Sequence, residues 1–558
     1  MSANPDHMQV SGANVRRWTI AIAAAVFVPI VLLGGLELLL RAANVGYPTA
    51  LLEPCTVQGK PASCYNLFFA APFFPNGMIQ TPRPYSIPAA KAANTYRIVV
   101  LGESAAMGDP DPAYGFSRYL ETMLRLRYPD IKFEVVNTGS VAINSHVTLP
   151  IAEQLAAYKP DLFIIYSGNN EVVGPYGPGT ALSSSWSMQM PFIKASMFLH
   201  ASRTGQLVTK LGTPKQQWRG MELFLDKQVR ADSPLMQYAY ANFADNLRDT
   251  IAAGQRAGAR VIVSTVATNV RDCAPFASLH RDGLGAVWRD NFDTLVADGQ
   301  ALEESGAYSE ALKRYRAAAQ LDSNYAELHF RIARTLEAIN DFPTATAEYV
   351  RARDLDTLRF RADSKINEVN RAIAATTPGT MLVDADALLS AASEHGAIGS
   401  DLVYEHVHLT PAANYLLAKA MFEKIAQTIP RSGGDSTEAT MPTQAQCDQM
   451  LGLTRFDRAR IAAEVLRRIQ RPPFTTQLTH SRQVERFTTM AQGTQETPDE
   501  TFAQYQWALS RSPADLMLHF RLGMFLYRYN QPAAAQHLRM SQPWDGFPVY
   551  APDGALLN

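Results

Sequence analysis

The sequence predicts an α/β fold: a parallel sheet flanked by helices, with all-α helices inserted into it and following it, and one N-terminal transmembrane helix. Three observations predict it. From residue 94 onward short, continuous apolar runs alternate with segments of helical period, one stretch recurs at a spacing of 34 residues, and the N-terminus carries a long uncharged run. Continuous apolar strands separated by helices mark a parallel sheet buried on both faces.

The first element is the uncharged run, "RRWTIAIAAAVFVPIVLLGGLELLLRA". No residue from Trp18 to Leu36 is charged, which is about the length a helix needs to cross a bilayer and exceeds the ~7 to 15 residues of a signal-peptide core. Residues 18–41 therefore read as an uncleaved anchor. Arg16 and Arg17 hold the 1–17 tail in the cytoplasm, with Glu37 and Arg41 at the far interface. Everything after the span is then expected on the extracytoplasmic, periplasmic side of an inner (cytoplasmic) membrane. In that oxidising space four cysteines are expected as disulfides, Cys55 with Cys64 as a close pair and Cys273 with Cys447 as a distant one. The alternative is four buried free thiols in a cytosolic protein.

At 558 residues the chain has room for several folded units. Its 51 basic residues balance 52 acidic ones without long runs of either sign, which excludes the electrostatic footprint of a nucleic-acid binder. No CxxC or Cys/His spacing of a zinc site is present.

A juxtamembrane segment, 42–93, precedes the sheet. The predicted strands are "YRIVVLG", "KFEVVNTG", "DLFIIYSG", "ARVIVSTVATN" and "TMLVDA", with helices such as "SRYLETMLRLRYP" and "LPIAEQLAAYKP" between the first three. A long segment containing "QWRGMELFL" and a helix near 233–258 reads as lid and packing helix. Between the fourth and fifth strands "ESGAYSEALKRYRAAAQLDSNY" recurs as "AINDFPTATAEYVRARDLDTLR": Gly306 maps to Asn340, Ala311 to Ala345, Tyr315 to Tyr349 and Asp322 to Asp356. This period, with small residues where helices cross, resembles tetratricopeptide repeats. "LHFRIA" at 328 is echoed by "LHFRLG" at 518, and "RSGGDSTEATMPT" at 431 reads as a linker. The sequence thus divides into a parallel-sheet domain over 94–295 and 357–430, an insertion over 296–356 and a C-terminal helical module over 431–558.

The chemistry-bearing residues follow the strands. "YRIVVLGESAAMG" ends its strand at Gly102-Glu103-Ser104, so Ser104 is either a helix cap or a nucleophile at a strand-to-helix turn. Asn137 and Gly139 follow the second strand, Gly168 to Glu171 the third, and Glu405, His406 and His408 come after the fifth. In an open parallel sheet such turns gather at the carboxyl edge, where active sites assemble. A serine hydroxyl needs an imidazole to take its proton, and the imidazole needs a carboxylate to fix its tautomer. The pair His406 and His408 with Glu405 has no third histidine or cysteine nearby in sequence, so no metal and no cofactor is predicted.

In this order the blocks resemble the SGNH (GDSL-type) hydrolase superfamily over about 94–175 and 376–428. The resemblance implies a three-layer sheet fold and acyl transfer through a serine ester, with Ser104 as nucleophile, His408 as base and Glu405 as its orienting acid. It further implies an oxyanion hole formed by Ser104, Ala142 and Asn170. The chain departs from the pattern in having glutamate for aspartate at 103, 171 and 405, Ala142 for a glycine, and Ala412-Ala413 after the histidine. At 142 the backbone N–H still serves the hole if φ is negative. The expected function is ester hydrolysis or O-acyl transfer, with an ester-bearing substrate, carbohydrate among the candidates, and a protein partner on the repeats. The rival is an inactive repeat scaffold for envelope or exopolysaccharide machinery. Because the insertion leaves the fourth strand and returns before the fifth, the repeats are expected to overhang the catalytic mouth.

Overall fold

The computed structural model describes residues 12–75, 77–183, 187–212, 217–429, 441–493, 496–529, 531–552, 554 and 556–557. The linker expected at 431 falls, for residues 431–440, outside them, as does the tail before residue 12. The helix Gly12–Ala42 contains a stretch, Trp18–Ala42, of mean hydropathy 2.5 with none of it buried, long and apolar enough to cross a membrane.

Three short strands follow, β1 (Leu52–Val57), β2 (Lys60–Tyr65) and β3 (Ser86–Pro88), paired antiparallel in that order. The turn between β1 and β2 places Gln58 and Gly59 in the left-handed region, and Cys55 and Cys64 are joined by a disulfide across the hairpin. Asp545, far away in sequence, accepts hydrogen bonds from the Gln58 and Gly59 N–H groups at 2.9 Å each.

The main sheet has five parallel strands: β4 (Thr95–Gly102), β5 (Lys132–Asn137), β6 (Leu162–Tyr166), β7 (Arg260–Ser264) and β8 (Thr380–Val383), in the order β5-β4-β6-β7-β8. Ile98 to Leu101 and Leu162 to Tyr166 are buried, as strands covered on both faces must be. Two sets of helices do the covering. Phe116–Arg127 packs with Pro411–Ala426, and Leu235–Arg256 packs with both Ser145–Leu155 and Ser364–Thr376. The strand order reverses at β4, so the carboxyl ends of β4, β5 and β6 frame a crevice, the usual ligand position of a doubly wound sheet.

The inserted helices are Ala286–Glu304, Tyr308–Leu321, Ala326–Ala338 and Phe342–Leu355. They begin at 286 rather than 296, because Gly285 in extended conformation already starts the first helix. The 34-residue period is visible as chemistry: the Tyr315 hydroxyl donates to Glu303 at 2.7 Å and the Tyr349 hydroxyl to Glu337 at 2.6 Å. The ring of Tyr315 lies over Gly299, where an added Cβ would approach it to 2.4 Å.

The C-terminal helices are less separate than the sequence suggests. Cys447, Ile461, Val465, Ile469, Phe474 and Phe487 belong to the same apolar core as the main sheet, and only the last helices have a core of their own around Tyr505, Leu522 and Phe525. The distant cysteine pair is not bridged: Cys273 and Cys447 are both buried free thiols. Cys273 sits by Gln477, whereas Cys447 lies on the helix Gln444–Met450 that packs against Phe116–Arg127 and Pro498–Arg511, so the two never face each other.

Charged pairs tie the C-terminal helices to the turn after β4. Asp111 is paired with both Arg460 and Arg521, Arg118 with Asp515, and the Tyr114 hydroxyl donates to the Gly452 carbonyl at 3.2 Å. Burial would raise the Asp111 carboxyl, but Arg521 and Arg460 hold it below the usual range. Asp111→Ala strands two arginines and is expected to cost about 3 to 5 kcal/mol of unfolding free energy. Arg460→Ala leaves Arg521 in place and should cost clearly less, a ranking that urea titration in detergent measures. Since the folded-state carboxyl is depressed, this stabilisation is present at neutral pH and is lost as pH falls below about 4.

Candidate active site

β4 ends on Gly102, whose φ of 154° and close approach to the Tyr166 carbonyl (2.0 Å from an added Cβ) admit no side chain. The chain then turns into a single helical turn, Ser104–Met107, closed by Gly108 in the left-handed region. Its N-cap is Glu103, and Ser104 is the first helical residue, making no capping bond. Instead Ser104 Oγ lies 2.9 Å from His408 Nε2.

His408 stands on a tight loop pinned by the bridge between Val403 and Leu409 and by the Tyr404 N–H donating to the His408 carbonyl at 2.8 Å. Thr410 caps the helix Pro411–Ala426 two residues later, which fixes where the loop ends. The Glu405 carboxylate accepts from His408 Nδ1. All three residues are buried, with Ser104 retaining 8 % exposure. Burial would raise the Glu405 carboxyl, but the His408 imidazole holds it far below the usual range. Burial would lower His408, and Glu405 and Asp109 together outweigh it and raise the imidazole above its ordinary value.

Asp109 is the group that sequence reasoning missed. Its Oδ2 is 3.2 Å from His408 Nε2, on the side facing Ser104. The carboxylate is gripped by Arg468 of the helix Arg455–Ile469, through Nη1 and through Nη2 at 3.1 Å from Oδ1. The only sequence signal was a carboxylate five residues after the serine, and its guanidinium partner is 359 residues away.

The other expected residues take different positions. Glu103 faces inward: Oε1 accepts from the Ser167 hydroxyl (3.0 Å) and Gly168 N–H (2.9 Å), and Oε2 from Asn169 N–H (2.9 Å). Glu171 accepts the Ser145 N–H and hydroxyl at 2.9 and 2.7 Å. Burial pushes both carboxyls up. The Asn170 amide donates to the Ile143 carbonyl at 3.0 Å. Ala142 does not have the negative φ required of it. Its φ is 59°, the left-handed region that glycine enters freely and alanine at a cost.

Ser104, Asp109, Ala142, Asn170, Glu405 and His408 line one cavity of about 380 Å³. Its walls come from Trp218 to Phe224 on one side and from Arg467 to Phe474 on the other, with Phe360 between. None of the repeat residues 299–355 lines it. The repeat helices share an apolar core with Val270, Ala274 and Ala397.

Glu405, His406 and His408 offer ligand atoms within 4.8 Å of one another, the one such cluster among the described residues. Both His408 nitrogens are engaged by Glu405 and Ser104, however, and His406 is packed edge-on among Phe276, Phe360 and Phe474. Burial pushes His406 down to about 3, so it is neutral at physiological pH.

In comparison with known proteins, residues 299–340 match the family described as TPR repeat. No curated protein matches the chain. Among solved structures the chain is similar to an acetyl xylan esterase at 10% identity and a TM-score of 0.28, covering 59% of this chain and 99% of that one. A second acetyl xylan esterase, from Geobacillus stearothermophilus, matches at 14% identity and a TM-score of 0.27 over 60% of this chain and 97% of its own. An alpha/beta hydrolase enzyme from the metagenome of Lake Arreo, Spain, matches at 12% identity and a TM-score of 0.28 with the same coverages. At these scores the likeness carries no argument about the reaction.

Ala142→Gly removes a left-handed alanine and is expected to raise the unfolding free energy by about 1 kcal/mol. Chemical denaturation of the two proteins side by side measures it, and a loss of stability would mean that the methyl group contributes more by packing than it costs in strain.

Proposed function

We propose that the chain is a membrane-anchored, extracytoplasmic serine hydrolase of the SGNH type that cleaves or transfers ester-linked acyl groups. The observation that carries the reading is the line from Ser104 Oγ to His408 Nε2, 2.9 Å apart, and on to the Glu405 carboxylate at Nδ1. With Nδ1–H donated to Glu405, Nε2 is the free base and accepts the Ser104 proton as Oγ attacks the carbonyl carbon. The carbonyl oxygen becomes an oxyanion, assigned to the Ser104 N–H and the Asn170 amide, each such donor being worth ~3 to 4 kcal/mol of barrier; the positive φ of Ala142 leaves its N–H out of this assignment. The Nε2 proton then passes to the departing alkoxide, leaving an acyl-Ser104. Water, or a sugar hydroxyl where water is excluded, takes the acyl group by the reverse sequence. The exposed apolar helix and the Cys55–Cys64 disulfide support an anchored, oxidising setting.

Asp109 has a positioning role in this reading. Opposite the neutral imidazole it meets a lone pair, but once Nε2 is protonated the N–H has both Ser104 Oγ and Asp109 Oδ2 as acceptors. Arg468 tempers this by sharing the Asp109 charge.

Reaction with a fluorophosphonate probe tests the reading. Ser104→Ala should abolish labelling with the fold intact, and His408→Ala should slow it by roughly three orders of magnitude or more. His406→Ala should matter far less, and Glu405→Gln should fall between. An unlabelled parent protein would leave the repeat scaffold as the better reading.

The pH dependence separates the two acids around His408. Activity should appear as His408 loses its proton, at a pH above the ordinary histidine value of ~6.5. Asp109→Asn withdraws a negative charge from the imidazolium and should move this limb down by about one unit. Arg468→Met leaves Asp109 unscreened and should move it up. Labelling rates measured over about four pH units around that value read both signs.

A further inference from the structure

The helices Met190–Ala201 and Arg203–Gly212 form an apolar surface that the described residues leave uncovered. In the first, Ile193 is the buried residue, while Phe192, Ala195, Phe198 and Leu199 share the opposite side at helical spacing and are exposed, Phe198 by 74 %. In the second, Val208 is 66 % exposed. Contiguous apolar patches of this kind mark an interaction surface. From 190 to 212 there is no carboxylate, and Lys194, Arg203 and Lys210 are the cations. An exposed apolar face with basic residues and no acid is the composition of a helix that lies in a membrane interface.

The same two helices are fastened to the end of the apolar helix. Glu37 accepts hydrogen bonds from the N–H groups of Arg203 (3.0 Å) and Thr204 (2.9 Å) and from the Thr204 hydroxyl (3.0 Å). Tyr47 N–H donates to Gln206 Oε1 at 2.9 Å, and Gln206 Nε2 donates back to the Tyr47 carbonyl at 3.1 Å. Tyr47 in turn stacks on the exposed Phe68 at 5.1 Å between ring centres. The uncharged run ends at Leu36, so Glu37 is the first polar group beyond it. About 19 residues of helix span ~28 Å, nearly the whole hydrocarbon core. Whatever lies at the level of Glu37 is therefore at the headgroup boundary, and Glu37 brings the helix Arg203–Gly212 to that level.

We propose that Met190–Ala201 and Arg203–Gly212 are an interfacial seat, lying in the phospholipid headgroup region beside the span with Phe192, Phe198, Leu199 and Val208 in the bilayer. The inference rests on the reading of Trp18–Ala42 as a membrane span. It adds to that reading a second attachment, which holds the hydrolase against the membrane instead of letting it swing from a single helix.

The full chain, reconstituted in vesicles of phosphatidylcholine and phosphatidylglycerol, tests it. Cys55 and Cys64 are bridged and Cys273 and Cys447 buried, so a bimane label can be directed to Phe198→Cys, Val208→Cys and, as reference, Lys313→Cys on the exposed side of the helix Tyr308–Leu321. In vesicles with brominated acyl chains the emission at 198 and 208 should fall by half or more relative to unbrominated lipid, with a blue shift, while that at 313 stays unchanged. If the protein resists carbonate extraction but 198 and 208 are quenched no more than 313, the seat is wrong and the span stands. If carbonate releases the protein, the span fails and the seat with it.

Discussion

The turn that carries Ser104 is held from outside by guanidinium groups, and the rest of the site depends on that hold. Asp109, Asp111 and Arg118 lie within fourteen residues of Ser104 and are buried against Arg468, Arg460, Arg521 and Asp515 of the C-terminal helices. Buried charges are expensive to desolvate and become tolerable only when each has its partner in good geometry. Such a set of pairs therefore admits one arrangement and penalises the others. The consequence at the site is that the turn after β4 cannot shift without uncovering a charge, so Ser104 and Asp109 keep their distances to the imidazole. The C-terminal helices consequently act as one wall of the cavity, through Arg467 to Phe474, and as the clamp on its floor.

A second hold comes from the segment just after the insertion. Arg361, just after the last repeat helix, donates to the carbonyls of Asn269 (2.8 Å) and Cys273 (2.7 Å) and pairs with Asp356 at 2.9 Å. Asn269 N–H in turn donates to the His406 carbonyl at 2.9 Å. The segment that returns from the repeat helices thus braces the histidine loop, by way of the segment after β7. Ser104 and His408 are each carried on a short irregular stretch, and each stretch is fixed by contacts that the sheet alone does not supply.

The glutamates at 103, 171 and 405 follow from what each must reach. Glu103 spans to three donors on the turn after β6, and Glu171 reaches the first N–H and hydroxyl of the helix Ser145–Leu155, where a carboxylate is favoured by the helix dipole. They are internal ties between neighbouring turns. Only Glu405 reaches the imidazole, and the tight loop from Val403 to Leu409 gives its longer arm the room to do so.

What was legible in the sequence is what local chemistry dictates. The five strands show as continuous apolar runs, the inserted hairpins as a 34-residue period that the Tyr315 and Tyr349 hydroxyl bonds now explain, and the hairpin disulfide as two cysteines nine positions apart. Ser104, Glu405 and His408 could be named because each sits at a strand-end turn with its own local signature. Arg468 could not. An arginine in an amphipathic helix with Glu464 one turn before it reads as a solvated helix pair, and Arg468 does pair with Glu464. Its second contact, to Asp109, exists only because two segments 359 residues apart are packed together. The same holds for the sign of φ at Ala142, which the meeting of three turns decides and no side chain announces. Both unread features lie within the cavity, where the fold asks residues to satisfy a neighbour from another element and their own local preference loses. The places where local preference fails are therefore where contacts between distant elements set the geometry. Around His408 the outcome is an imidazole with a carboxylate on each side, Glu405 at Nδ1 and Asp109 at Nε2.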